Sequence, residues 1–331
     1  WVFRGFGFAT PENREPTLNN GYSVQWNNNF LWQWTNTLEF NKKIGSHQLN
    51  ALVGYESIQN KYRGIQGRVN NYVTEDPAAW YLNTGLGDAS TRNISSFGDP
   101  WTLVSMFVKG DYAYNDRYLL SATLRRDGSS KFGKNNRWGV FPALSVGWRV
   151  SSEGFMSSLS MVNDLKLRFG YGVTGNQNIP TGNAFDRYGG SPGTSFYDIG
   201  GANNGGIAPG YSLTFNGNPN GKWEENVSIN GGFDLSMIDG KLQLVLDVYK
   251  RKVNGLLYQQ QVAGTGGSAT QPYTNIGDME NNGIDITASY RGKIQNDLSY
   301  NVSLNATHYK NKVTYVSDDI DFFYSSGADG H

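Results

Sequence analysis

The sequence predicts an all-β fold, an antiparallel up-and-down β-barrel that crosses a membrane. Three observations support this prediction. Apolar and polar residues alternate along one segment after another, short and long connections between the segments alternate, and aromatic residues gather beside the short connections. No apolar run approaches the ~18 residues that a transmembrane helix requires. A membrane protein of this composition therefore has to cross with strands.

The composition excludes several functional classes. With 0 cysteines, neither a disulfide framework nor a thiolate metal site is available. The 3 histidines are too few and too scattered to indicate a metal centre. Since 28 Lys and Arg balance 28 Asp and Glu, no bulk charge attracts nucleic acid. The 42 glycines and the 14% aromatic content favour strands and loops over long helices.

Period-two alternation is the main evidence for strands with one apolar face. The longest alternating segment covers residues 138–150, and similar patterns occupy 30–40, 49–55, 104–124, 165–173, 227–248 and 284–306. Tight turns are predicted at 44–46, 115–117, 238–240 and 294–297, with a moderate connection at 152–163. Longer stretches lie between them at 58–101, 128–136, 174–222 and 256–281. A barrel with short turns on one rim and long loops on the other produces this pattern, whereas an immunoglobulin-like sandwich does not. We therefore expect about ten strands in one continuous sheet, each paired to the next.

Charged residues occupy the strand positions opposite the apolar ones. In a membrane barrel these positions face a hydrated lumen, because a Lys or Arg on the lipid side near the midplane costs about 2–4 kcal/mol. We predict that six such residues face the lumen: Asp111, Lys166, Arg168, Asp234, Asp247 and Arg291. The aromatic residues beside the short connections are predicted to lie at one height on the outer wall, as an interfacial girdle: Tyr114, Tyr118, Trp148, Tyr290 and Tyr300.

No catalytic residue and no metal site is predicted. Residues 170–175 form a literal G-x-G-x-x-G, but they end an alternating strand and precede a loop, whereas a dinucleotide site needs a helix there. The acidic run at 317–321 lacks the central Gly and terminal Glu of a calcium loop, so a solvated loop is the better interpretation. Its carboxylates leave a surface calcium site as the alternative.

The long loops contain aromatic residues that are candidates for ligand or partner contact. They are Trp80 and Tyr81 in one loop, and Phe185, Tyr188, Phe196 and Tyr197 in another. Exposed aromatic rings on loops stack on sugars or cover a partner protein. The alternative is that the rings fold back and pack within their own loops.

An ordered series of motifs resembles a known family. The motifs are Arg-Arg-Asp-Gly-Ser-Ser-Lys-Phe-Gly at 125–133, Asn-Asn-Arg-Trp-Gly at 135–139, Phe-Pro at 141–142, Gly-Trp-Arg at 147–149, Leu-Lys-Leu-Arg at 165–168, Tyr-Gly-Val-Thr-Gly-Asn at 171–176, Trp-Glu at 223–224, Asp-Val-Tyr-Lys-Arg at 247–251, Leu-Leu at 256–257, Asn-Ile-Gly at 275–277 and Asn-Asn-Gly-Ile-Asp at 281–285. Over residues 35–312 the chain resembles the SusC/RagA family of TonB-dependent outer-membrane transporters of Bacteroidetes.

The resemblance implies a multi-pass protein of the bacterial outer membrane and not an enzyme. Family members are barrels of roughly 22 strands with a plugged lumen, so these strands would form about half of a large plugged barrel. They import bulky nutrients, glycans or peptides, without a cofactor, using energy relayed by TonB. A SusD-like surface lipoprotein closes the extracellular mouth. The expected partners are therefore outer-membrane lipid, the lipoprotein, TonB, and an oligosaccharide or peptide substrate, with no nucleic acid.

Residues 1–331 are expected to be part of one barrel domain, with the plug and the TonB-contacting box outside this chain. Two other functions stay open from the sequence. One is a structural or accessory subunit of a larger outer-membrane complex, and the other is a passive porin-like channel. A plug and a TonB box upstream would favour import.

Overall fold

The computed structural model describes residues 2–4, 20–74, 76–86, 92–190, 195–198, 207–259, 267–294 and 298–317. Sixteen strands lie within these ranges: β1 (Val2–Arg4), β2 (Gly21–Ile44), β3 (His47–Asn70), β4 (Asn93–Gly98), β5 (Trp101–Tyr114), β6 (Tyr118–Ser129), β7 (Trp138–Arg149), β8 (Val162–Asn176), β9 (Arg187–Gly189), β10 (Tyr197–Asp198), β11 (Ile207–Ala208), β12 (Ser212–Phe215), β13 (Glu224–Met237), β14 (Leu242–Gln259), β15 (Tyr273–Ile294) and β16 (Leu298–Val316). Three single-turn 3-10 helices span Pro77–Ala79, Val150–Ser152 and Gly154–Met156.

Twelve strands form one sheet in the order β1-β2-β3-β5-β6-β7-β8-β13-β14-β15-β16, and β4 pairs with β3 beside this path. The predicted all-β antiparallel sheet, in which each strand joins the next, is confirmed. The connection between β8 and β13 holds two small antiparallel ribbons, β9 with β12 and β10 with β11. The chain divides into two compact units, residues 1–33 with 58–102 and residues 34–57 with 103–331. No helix in the described ranges is long and apolar enough to cross a membrane.

Backbone geometry explains the tight turns. Gly45 has a φ of 57°, and Asn115 and Asp116 both have a φ of 53°. Positive φ at two central residues matches the right-handed twist of the flanking strands, and Asn, Asp and Gly tolerate it best. The β13–β14 turn contains Ile238 and Asp239 at φ of 56° and 52°, followed by Gly240 at 73°. Three of the four predicted tight turns are confirmed, and the fourth falls on residues 295–297, outside the described residues.

Several strands are longer than the alternation predicted. β3 continues to Asn70, β14 continues to Gln259, and β15 begins at Tyr273, so 58–70 and the ends of 256–281 are wrongly predicted as loops. Alternation of apolar and polar residues is required only where one face of a strand meets an apolar environment. Backbone pairing continues beyond that region without any constraint on side-chain polarity, and the pattern in the sequence fades before the strand ends.

The glycine-rich segment 170–175 lies within β8, which confirms that it is strand and not the start of a dinucleotide-binding helix. Of the acidic run at 317–321, all but its first residue lies outside the described residues.

Cross-strand register assigns the two faces of the sheet in the second unit. Directly paired residues point to the same face. Tyr118 pairs with Trp148, Trp148 with Leu167, and Leu167 with Phe233, so these four side chains share the apolar face. Side chains on this face stay exposed, as Tyr118 at 43% and Leu167 at 41% show. A wide exposed apolar surface of this kind is what a lipid-facing wall requires.

Most of the buried apolar residues of the second unit lie beside the long connections. Phe132, Phe141, Val173, Ile179 and Trp223 pack together with exposures of 2–9%. The Phe132 and Trp223 ring centroids are 5.0 Å apart, and those of Phe141 and Trp223 are 5.4 Å apart. We call this group the rim core. It gives the long-loop end of the sheet its own packed interior, which the alternating wall below it lacks.

Candidate functional site

The candidate site is the polar face of the sheet in the second unit, and register places all six charged residues predicted from the sequence on it. Asp111 pairs with Ser121, Ser121 with Ser145, Ser145 with Gly170, and Gly170 with Asn230. Residues two positions apart in a strand point to the same face, so this row also fixes the face of residues an even number of positions away in the same strands. Pairing of Gly232 with Asp247 and of Asp247 with Asp285 extends that face to β14 and β15. The other five predicted residues on this face are Lys166, Arg168, Asp234, Asp247 and Arg291. That this common face lines the lumen remains a prediction.

Arg168 joins three neighbouring strands through one charge network. Its Nε and Nη2 donate to the two oxygens of Asp234, both at 2.9 Å, which is the bidentate geometry that Arg prefers with carboxylates. Its Nη2 also donates to Asp247 Oδ2 at 3.1 Å, and Nη1 lies 3.0 Å from Asp247 Oδ1. Asp285 pairs directly with Asp247 across the β14–β15 ladder. The network therefore holds more carboxylates than guanidinium groups.

Two glycines leave room for this network. Gly147 and Gly232 are the direct cross-strand partners of Arg168 on its two sides. A side chain at Gly232 would collide with the Asp247 carboxylate and the Leu246 carbonyl. The guanidinium group can therefore lie along the wall between its carboxylates, because the neighbouring positions carry no side chains.

Arg168 and Lys166 also line an open cavity of about 400 Å³ on the second unit. Asp111 lines the same cavity, accepts from Ser121 Oγ at 2.6 Å and lies 3.0 Å from Lys109 Nζ. The structure thus groups five of the six predicted residues in this area, since Asp234 and Asp247 bind Arg168. Arg291 is separate, and lines another cavity of about 600 Å³ with Lys241 and Lys293 at the short-turn end.

A second charge network was missed from the sequence. Arg125 donates to Glu56 at 3.0 Å, to Asp127 at 2.8 and 3.0 Å, and to Ser105 at 2.8 Å. The Phe107 ring lies 5.3 Å from the guanidinium carbon, and a side chain at Gly54 would collide with that ring. Glu56 alternates with apolar neighbours in the sequence, so its position on the polar face of the sheet could have been predicted. Its partner lies 69 residues away, and only the register of the sheet brings the two together.

At the short-connection end, Glu153 binds the side chains of Tyr118 in β6, Trp148 in β7 and Arg117 in the turn before β6. The Tyr118 hydroxyl donates to Oε1 at 2.6 Å, the Trp148 indole donates to Oε1 at 3.0 Å, and Arg117 donates to Oε2 at 2.9 Å. The hydrogen bond from Tyr118 is the largest of the effects that hold the pKa of Glu153 below its usual range, followed by those of Trp148 and Arg117. Glu153 therefore fixes two of the predicted girdle rings at the rim.

A pH-dependent effect of Glu153→Gln follows. A depressed pKa contributes stability above the ordinary carboxyl value of about 4.3, and that contribution is lost as the pH falls through the folded-state value. The variant should melt below the parent protein at pH 7, and the difference should shrink as the pH falls below about 4.3 toward the depressed folded-state pKa. Asp116→Asn, in the neighbouring turn, is the control. A difference in melting temperature that is independent of pH would contradict the assignment.

The remaining girdle residues are paired in space. The Tyr114 and Tyr118 rings stack with centroids 6.3 Å apart, and those of Tyr290 and Tyr300 lie 6.1 Å apart. The contacts place aromatic pairs at two of the short connections. Their common height on the outer wall stays a prediction.

The loop aromatics fall into two groups. Phe185, Tyr188 and Tyr197 are 60–65% exposed, and Tyr81 is 61% exposed. Trp80 is half-buried against Tyr22 in the first unit, with ring centroids 6.4 Å apart, so its ring packs within its own surroundings. Phe196 is also half-buried. Exposure thus leaves four of the six predicted residues accessible to a ligand or partner.

The loop that presents Tyr188 is held from several sides. β9 and β12 pair around it, and the Arg187 guanidinium lies 4.1 Å from the centroid of the Phe215 ring. Asn183 donates to the Tyr273 carbonyl at 3.0 Å and accepts from the Tyr273 amide at 2.8 Å. Among the described residues, no three His, Asp or Glu side chains converge as metal ligands.

This geometry belongs to a known class of membrane receptor. The family described as "TonB dependent receptor-like, beta-barrel" matches residues 1–330, and the chain belongs to that family. Its members are outer-membrane proteins and not enzymes. The predicted kinship with SusC and RagA is confirmed.

Individual relatives agree with the family. The TonB-dependent receptor SusC of Bacteroides thetaiotaomicron is 31% identical over 96% of this chain and 32% of its own length. The TonB-dependent receptor P3 of Formosa agariphila is 31% identical over 89% of this chain and 28% of its own length. The structure of the RagAB peptide transporter superposes with a TM-score of 0.80 at 23% identity, covering 94% of this chain and 33% of the other. The chain thus spans about a third of the length of the relatives that it matches.

Proposed function

We propose that this chain is the barrel segment of an energy-coupled importer of bulky nutrients, glycans or peptides, and that its plug and TonB box lie outside residues 1–331. The observation that supports it is a sheet with an exposed apolar face opposite a face crossed by the Arg168 and Arg125 charge networks. On this proposal the apolar face meets lipid, and the charged face meets a plug and passing solute in a wet lumen.

The partners follow from the same proposal. The ordered loop around Tyr188 lies at the long-connection rim, which in outer-membrane barrels faces the cell exterior. Phe185, Tyr188 and Tyr197 then contact either the substrate or a SusD-like surface lipoprotein. The RagAB structure is that of a peptide transporter, and the SusC relative is a TonB-dependent receptor, which favours import over a passive channel.

Uptake by the full-length protein in its own membrane tests the proposal. Cells expressing it should accumulate fluorescent oligosaccharides or peptides, and accumulation should stop when the proton-motive force is collapsed. Tyr188→Ala with Tyr197→Ala should lower uptake or release the lipoprotein in a pull-down. The matched control is Phe169→Ala, which removes an exposed ring from the apolar, lipid-facing side of β8.

Three results would contradict it. Uptake that survives an uncoupler would indicate a passive porin-like channel. If deleting the protein leaves uptake unchanged, and the protein is found in a stable larger complex, it is an accessory subunit. Equal effects of the loop and control variants would remove the loop rings from the site.

A further inference from the structure

The outward face of β14, β15 and β16 changes character along the strands. From the short-turn end, the first three rows of outward residues across these strands are apolar, and the fourth row is Val248, Ile284 and His308. The next row is Lys250, Asn282 and Lys310, and the one after it is Lys252, Glu280 and Lys312. We call these two rows the lysine belt. Because an ionised side chain in lipid is costly, the belt marks where the wall leaves the hydrocarbon layer.

The belt has an excess of positive charge. Lys250 lies 2.7 Å from Glu280, and Lys252 lies 3.2 Å from Asp278. Within the described residues, neither Lys310 nor Lys312 forms an ion pair, and both are exposed on β16. Four lysines thus face two carboxylates, and the two cations on β16 are available for an anion at the membrane surface.

A distant strand shows the same transition. On β6 the outward residues Leu120, Ala122 and Leu124 are followed by Arg126, whose guanidinium carbon lies 4.6 Å from the Trp138 ring centroid. A cation stacked on an interfacial Trp, one row beyond the apolar positions, is typical of a lipid–water boundary. The belt therefore belongs to a boundary that recurs along the sheet.

We propose that the lysine belt binds the phosphate groups of lipid in the outer leaflet, with Lys310 and Lys312 as the main contacts. The long-connection rim faces the exterior, so the belt meets the headgroups of that leaflet. Lysines immediately beyond an apolar surface attract anionic headgroups, while the acyl chains lie on the apolar rows below. This inference concerns the outer wall and does not depend on import through the lumen.

Native mass spectrometry of the detergent-solubilised full-length protein tests the proposal, with phosphorylated lipid A as the probe. Lys310→Gln with Lys312→Gln should weaken lipid A binding about twenty-five-fold, since each lysine near an anionic lipid surface contributes a factor of about five. Lys310→Arg with Lys312→Arg should retain it. The matched control is Lys42→Gln with Lys43→Gln, two exposed lysines at the short-turn end of β2.

Dephosphorylated lipid A and inorganic phosphate distinguish the sources of binding. Dephosphorylated lipid A should bind the parent protein and the Gln variant equally weakly. Inorganic phosphate should not displace lipid A from the parent protein, even at the concentration at which lipid A saturates the protein. Unchanged lipid A binding by the Gln variant would overturn the proposal. If dephosphorylated and phosphorylated lipid A bind the parent protein equally well, the phosphate groups have no role in binding. If inorganic phosphate fully displaces lipid A, the site binds free phosphate and not a lipid. Heat-modifiable mobility confirms that each variant is folded.

Discussion

Replacing Phe169 by Arg is expected to prevent assembly of the barrel, whereas replacing the adjacent Arg168 by Leu is expected to permit it. Phe169 lies on the apolar face, one outward position beyond the Leu167–Trp148 pair, and is 48% exposed. An Arg there would face hydrocarbon at a cost of about 2–4 kcal/mol. Against a net stability of ~5–15 kcal/mol, that cost is large.

Arg168→Leu acts on the opposite face. It leaves Asp234 and Asp247 without their shared counter-ion, but these carboxylates are 39% and 27% exposed and can be hydrated. Loss of a partly exposed ion pair costs about 1 kcal/mol or less, so the variant should fold. Arg168→Lys should fold as well, yet it loses the bidentate geometry with Asp234.

Heat-modifiable mobility and surface level in the outer membrane measure both effects. The two positions are adjacent in β8 and differ only in the face that they occupy, so each variant controls for the other. If Phe169→Arg assembles normally while Arg168→Leu does not, the assignment of the lipid and lumen faces is reversed.

Replacing Trp223 by Ala is expected to open the rim core. The Trp223 ring is 8% exposed, contacts Phe132 and Phe141, and donates from Nε1 to the Arg137 carbonyl at 3.1 Å. Truncating a buried Trp to Ala typically costs about 3–5 kcal/mol, because apolar contact is lost and a cavity remains. The loss should be greatest at the long-connection end of the sheet, where the rim core lies.

Limited proteolysis of the folded protein should therefore cut the loop between β8 and β13 in the Trp223→Ala variant while the wall strands stay protected. Trp223→Phe should show an intermediate effect, because it keeps an aromatic ring and loses the hydrogen bond. Phe185→Ala, at a position 65% exposed, is the control. Equal cleavage of the Trp223 and Phe185 variants would show that the rim core does not hold the loop.

The recognisable sequence motifs correspond largely to this rim. Phe132, Phe141 and Trp223 belong to the motifs and to the core, and Ile276 is 2% exposed within another motif. Glu224 accepts from Asn176 and from the Leu257 amide, both at 3.0 Å. The family resemblance thus rests on residues that build the long-connection end of the sheet, and only partly on the polar face.

The sequence by itself determined which strand positions are apolar, which are charged and where the tight turns fall. Each of these depends on local chemistry: side chains alternate every second residue, and Asn, Asp or Gly permits positive φ. For this reason the antiparallel order of the strands and the common face of Arg168 and Asp247 could be predicted from the pattern alone.

Only the tertiary structure decided which charges meet. Arg125 reaches Glu56 across 69 residues, and Arg168 reaches Asp247 across 79. Alternation assigns a residue to a face but not to a neighbour, because the neighbour is set by strand register and by glycines such as Gly232 that leave space. The ends of the strands also needed the structure, since beyond the apolar rows backbone hydrogen bonds alone maintain the pairing and place no demand on the side chains.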